Sequence, residues 1–142
     1  MKYLLDTCVV SEIQRRQGDK GVKARVRSFD VEQVYLSSVT LGEISYGIAR
    51  LDEGERRRDY ELFLETLESD YGDHVLSING DVAKIWGELT AEAQKKGDNI
   101  EMADGLIAAT AKFYGLYVVT RNVRHFLPTG VMILNPWADG EM

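Results

Sequence analysis

The stretch Tyr3–Val10, YLLDTCVV, decides how the chain is read. Tyr3–Leu5 is a compact apolar strand candidate, and an acid, Asp6, follows it directly. Two roles suit an acid at that place. Asp is a good helix N-cap, although Thr7 could fill that position instead. A carboxylate at the end of a strand could also hold a metal ion.

Working outward, short β-rich runs alternate with helical spacing. Val34–Ser37 (VYLS), His74–Ile78 (HVLSI), Tyr117–Thr120 (YVVT) and Val131–Leu134 (VMIL) are further strand candidates. Helical patterns cover Thr40–Leu51, Arg57–Glu68, Asp81–Lys95 and Glu101–Tyr114. Alternation of this kind predicts an α/β fold, with a mainly parallel sheet of about five strands flanked by helices. In such sheets, sites form outside the carboxyl ends of the strands.

The chain has 142 residues, 44% hydrophobic and 28% charged, which suits one globular domain over residues 1–142. We find no repeat, linker or low-complexity segment. No apolar stretch approaches the ~20 residues of a membrane helix, and the opening MKYLLDTCVV is too short for a signal peptide. One cysteine excludes an internal disulfide and fits a reducing cytoplasm. One Cys with two His argues against structural zinc. The net charge of −6 is the wrong sign for a protein that coats nucleic acid, but suits an enzyme that meets phosphates through bound cations.

Candidate site residues stand at the strand ends. Asp6 follows the first strand. Glu43 follows the second, and Thr40-x-x-Glu43 also fits a capping box. Asp104, in IEMADGLIAATAKFYG, falls on the apolar stripe of its helix, where an unpaired carboxylate costs several kcal/mol. Gly105 beside it costs the helix about 1 kcal/mol relative to Ala and would leave room for something close. Asn122 follows the fourth strand and also suits a turn, and Thr120, the last residue of that strand, stands at the same edge. Three carboxylates at one sheet edge repel one another, so one takes up a proton unless a hard cation such as Mg²⁺ or Mn²⁺ joins them. That assigns Asp6 to metal binding.

These residues carry a resemblance. LLDTCVVSEI, YLSSVTLGEISYGIARL, ADGLIAATAKFYGLYVVTRNVRHF and NPW together resemble a PIN-domain protein, most closely the VapC-type toxins of toxin–antitoxin pairs. The resemblance implies a Mg²⁺- or Mn²⁺-dependent endoribonuclease on a PIN-like fold. Its acidic quartet would fall on Asp6, Glu43, Asp104 and Asn122, with Asp6, Asp104 and Glu43 holding metal. It also implies a homodimer neutralised by a VapB-type antitoxin, whose tail lies across the active-site groove and whose DNA-binding part brings the complex to DNA. Three positions depart from the pattern: Asn122 where Asp is common, Cys8 where Asn is usual, and His125 where Asp is frequent. We read Cys8 as buried and inert, and His125 as a surface-turn residue.

The expected chemistry is metal-assisted hydrolysis of an RNA phosphodiester, with Thr120 and Asn122 as a supporting shell. Arg121 and Arg124 would meet the strand near the site. Arg15 and Arg16, with Lys20 and Lys23, could flank the groove, and the run Arg56–Arg58 reads as a solvated helix face. A haloacid-dehalogenase phosphatase would need a second Asp where Cys8 stands. A receiver domain would need paired acids near the first strand and a Lys after the last. A PIN fold that binds RNA or a partner with little or no turnover is the remaining alternative.

Overall fold

The computed structural model describes residues 1–138, so the last four positions of the expected 1–142 domain lie outside it. Five strands, β1 (Tyr3–Leu5), β2 (Val34–Ser37), β3 (Val75–Leu76), β4 (Tyr117–Val119) and β5 (Ile133–Leu134), form one sheet in the order β3-β2-β1-β4-β5. Every pairing is parallel. β1 is central: Leu4 pairs Tyr35 on one side and Val118 on the other. Chain order reverses beside β1, and that is where a doubly wound sheet opens a crevice at its carboxyl edge.

Seven helices cover the sheet: α1 (Thr7–Gln14), α2 (Lys20–Arg27), α3 (Ser38–Ala49), α4 (Glu55–Tyr71), α5 (Gly80–Lys95), α6 (Met102–Tyr114) and α7 (Val123–Phe126). The pleat sends neighbours to opposite faces. Leu5 and Val119 pack with Val9, Ile44, Ile48 and Leu67 of α1, α3 and α4. Leu4 and Val118 pack with Val82, Leu89, Ile107 and Ala108 of α5 and α6. Each central strand is therefore covered on both sides, which explains its unbroken apolar sequence.

The predicted strands all form, with β3 and β5 shorter than expected. The predicted helices match α3 to α6 within a few residues. Helices α1 and α2 carried no sequence expectation beyond the cap at Asp6. The β-branched run in TCVV has weak helix propensity, but Asp6 caps it, accepting from the Thr7 amide at 2.9 Å. Burial of Val9 and Val10 then holds α1 to the sheet. Asp19 caps α2 by accepting from the Val22 amide at 2.9 Å.

One local reading is corrected. The N-cap of α3 is Ser37, whose hydroxyl accepts from the Val39 amide at 3.0 Å, so Thr40 and Glu43 do not form a capping box. Gly105 does leave room for something close, and the Trp86 indole takes it. A Cβ there would lie 2.8 Å from Trp86 Cδ1 of α5, so the missing side chain admits the indole. Gly105→Ala therefore sets an overpacking cost of about 1–3 kcal/mol against a helix-propensity gain of about 1 kcal/mol. We expect a net loss of stability, seen as a lower urea midpoint. An unchanged or higher midpoint would show that Trp86 moves aside freely.

Candidate active site

Leu5 lies beside Val119 in the register, so Asp6 and Thr120 leave the sheet as neighbours. The Asp6 amide donates to the Val119 carbonyl at 2.9 Å, which continues the ladder one step beyond the strand. The Asp6 side chain is 4% exposed. A carboxylate so removed from water needs donors. Thr120 Oγ1 donates to Oδ2 at 2.8 Å, the Thr7 amide donates to Oδ1, and the Cys8 thiol lies 3.5 Å from Oδ2. Thr120 Oγ1 also accepts from the Asn122 amide at 2.9 Å, tying the start of α7 to the same carboxylate.

Glu43 comes from α3, on one face of the sheet. Thr7 Oγ1 donates to its Oε1 at 2.6 Å and lies 3.1 Å from the buried Thr40 hydroxyl. Thr7 thus joins Asp6, through its amide, to Glu43, through its hydroxyl. Sequence reading weighed Thr7 only as a cap, because a Thr after Asp at a helix start carries no other signal.

Asp104 comes from the first turn of α6, on the other face. Its side chain is 18% exposed, and Oδ2 lies 3.3 Å from His125 Nδ1. Burial raises its pKa first, followed by the negative field of Asp6. His125 lowers it, while Glu101 and Glu43 raise it further. His125 is therefore more than a surface-turn residue: it stands on α7 with Nδ1 against the Asp104 carboxylate, its own side chain 57% exposed. Asn122 is the exposed N-cap residue of α7 and makes no side-chain capping bond.

Cys8 keeps its proton. Burial raises its pKa, and the adjacent Asp6 raises it further. It behaves as a weak donor within the Asp6 shell and not as a nucleophile.

The donor set of Asp6, Glu43, Asp104, Thr120 and Asn122 is all oxygen, the chemistry that hard divalent cations take. Burial is the main cause of the raised Asp104 carboxyl, and Asp6, Glu101 and Glu43 add a negative field that a cation would relieve. Among the described residues, however, no three His, Cys, Asp or Glu side chains converge as a ready metal cluster. Glu43 is turned to Thr7 and Asp104 to His125. The residues fit the ion by chemistry and by field.

The basic residues divide. Arg121 sits between Thr120 and Asn122, its guanidinium 5.1 Å from the centre of the Trp137 ring. The NPW motif explains that ring, since Asn135 Oδ1 accepts from the Trp137 amide at 3.0 Å and sets the turn. Arg124 is exposed on α7. Arg15 stands at the other end of α1, roughly 12 Å of helix from Asp6, and pairs with Glu12 at 3.2 Å. Arg16 is exposed just beyond it. These two are not brought to the carboxylates. In the run Arg56–Arg58, Arg57 is tied to the Leu51 carbonyl at 3.0 Å, whereas Arg56 lines a groove with Thr7 and Glu43. Arg56 and Arg58 are exposed, as read for this face, and Arg57 is the half-buried exception.

A parallel five-stranded sheet with acids from β1, α3 and α6 at its carboxyl edge defines a class. The PIN-domain model matches residues 3–127, so the chain belongs to the PIN-domain family. Its relatives are of the VapC type. It is 36% identical to the VapC ribonuclease Y4jK of Sinorhizobium fredii, over 94% of this chain and 96% of that protein. It is 36% identical to Toxin FitB of Neisseria gonorrhoeae, over 96% and 99%. A solved structure of FitAB bound to an IR36 DNA fragment contains a chain with 35% identity and a TM-score of 0.88, covering 95% of each.

Two outcomes test this arrangement. Thr120→Val removes the donor to a dry carboxylate and should cost about 1–3 kcal/mol in denaturant titration, while Thr120→Ser should recover most of it. Equal stability of all three proteins would mean that another donor replaces Thr120. Cys8 should react with a disulfide reagent at pH 8 at least about tenfold more slowly than free cysteine until the protein is unfolded. Rapid reaction of the native protein would contradict its raised pKa.

Proposed function

We propose that this protein is a single-domain endoribonuclease toxin of the VapC type, dependent on Mg²⁺ or Mn²⁺ and neutralised by a VapB-type antitoxin. The observation that carries the reading is the pairing of a dry, fully hydrogen-bonded Asp6 with an Asp104 whose carboxyl is pushed up by burial and by Asp6 itself. Two such acids at a sheet edge are poised for a cation. The names of the relatives, a ribonuclease and a toxin, agree with it.

In this reading Asp6 and Asp104 would hold the ion, and Glu43 would complete its ligands or orient the attacking water. The ion would supply positive charge to the scissile phosphate and the departing 3′ oxygen. The remaining work falls to this chain. Thr120 and the Thr7 amide fix the Asp6 carboxylate, so it need not reorganise during the reaction. The Thr7 hydroxyl sets the direction of Glu43. Asn122 offers a neutral carbonyl where a fourth acid would add charge. Arg121 and Arg124 offset the acidic edge for the incoming strand. Single-stranded loops suit such a site, because their phosphates and bases are accessible.

The active form would be a cytoplasmic homodimer. DNA would be reached only through the antitoxin, since a chain of net charge −6 has little intrinsic attraction for a duplex. Among the described residues no helix is long and apolar enough to cross a membrane.

The test is cleavage of a mixed set of structured RNAs by antitoxin-free protein with Mg²⁺, with Mn²⁺ and with EDTA. We expect metal-dependent cleavage that falls at least about a hundredfold in Asp104→Asn. Equal cleavage by both proteins would refute the assignment of the site. Absence of cleavage by folded, metal-loaded protein would favour a PIN fold that only binds.

A further inference from the structure

A groove of about 210 Å³ opens beside Glu43 and runs between α3 and α4. It begins at Thr7 and Glu43 and continues over Ile44, Ile48 and Phe63. Tyr60 and Arg56 border it, with the guanidinium 6.0 Å from the centre of the tyrosine ring. Arg56 takes part in none of the ion pairs among the described residues.

Gly47 supplies a second, independent observation. It lies inside α3, where glycine costs about 1 kcal/mol relative to alanine. Its conformation is ordinary, and a Cβ built on it meets nothing within 4 Å. Neither backbone geometry nor packing asks for glycine. Gly47 lines the groove, however, and a side chain there would project into its space. Gly42 of the same helix is equally unhindered and lies away from the groove, so what distinguishes Gly47 is its place: it keeps the α3 wall of the groove low and the space open to an occupant.

We propose that this groove is a nucleobase pocket, which receives one unpaired base of the RNA next to the phosphate being cut. The proposal rests on the ribonuclease reading and deepens it. Three features favour a base. The groove is continuous with Glu43 and Thr7, so a strand reaching the acids passes its mouth. Its walls are apolar with aromatic rings, which suits the flat face of a base. Arg56 at the border complements a flanking phosphate, in a molecule otherwise short of positive charge. The pocket would then choose which nucleotide lies beside the cut, while the carboxylates act on any phosphodiester.

The experiment measures binding of short single-stranded RNAs that differ at one nucleotide, including an abasic one, to protein carrying Asp104→Asn, so that binding is separated from cutting. We expect the preferred base to bind about tenfold more tightly than the abasic strand. Gly47→Leu and Tyr60→Ala should reduce that ratio to about twofold or less, and Tyr60→Phe should keep it. Gly47→Ala, which the helix favours, provides a variant that folds at least as well and narrows the groove.

A wild-type pocket that does not distinguish any base from the abasic strand overturns the proposal. So do folded Gly47→Leu and Tyr60→Ala variants that retain full discrimination. Loss of antitoxin binding with discrimination intact would also overturn it and make the groove a protein-docking site. If otherwise wild-type protein cuts no RNA but binding stays base-dependent and sensitive to Gly47, the ribonuclease reading fails and the pocket stands.

Discussion

Asp6 is a carboxylate held almost out of water at the end of the central strand, and the surrounding structure is arranged around that constraint. Its ladder bond to Val119 fixes the backbone, and Thr120 and the Thr7 amide satisfy the two carboxylate oxygens. Desolvating a charge without such partners would cost several kcal/mol. The partners exist because β1 and β4 are parallel neighbours in register, so both strands deliver a polar residue at the same height. A one-residue slip of β4 would turn Thr120 to the other face and leave the acid unsatisfied.

The other two acids approach from opposite layers. Glu43 rides on α3, packed through Ile44 and Ile48 on one face of the sheet. Asp104 rides on α6, packed through Ile107 and Ala108 on the other. The small residues of α6 let it lie close to the sheet, and Gly105 lets it lie close to Trp86. The edge of the sheet is where the two layers can bring their side chains within each other's field, as the effect of both Asp6 and Glu43 on Asp104 shows. Position in the fold, not proximity in sequence, makes one site of residues 37 and 61 positions apart.

Much of this was legible from residues alone. The strands are short and apolar because both faces are covered, and Asp6 directly follows the first of them, so the alternation disclosed the fold and the sheet edge disclosed the candidates. What escaped had a physical cause in each case. Helix α1 was hidden because Thr, Val and Val suit strands, and only tertiary burial with the cap at Asp6 makes them helical. Thr7 was missed because its importance lies in what it faces. Trp86 was not connected to Gly105 because the two lie on different helices. His125 was assigned to a turn because α7 is only four residues long and has no readable period.

Helix α3 combines two demands that rarely share one element. Its first turns direct Glu43 toward the acids, and one turn later Gly47 leaves its flank open to the neighbouring groove. Glu43 and Gly47 are four residues apart, so they share a face. A strand engaged by the acids would therefore meet the open flank without a bend in the helix between them. Chemistry at the edge needs rigid acids, whereas choice among substrates needs a surface that can vary without moving those acids. Placing both on one helix, with the neighbouring Ile44 and Ile48 anchoring it in the core, would let residues around the groove change the selection of substrate while the geometry around Asp6 stays as it is.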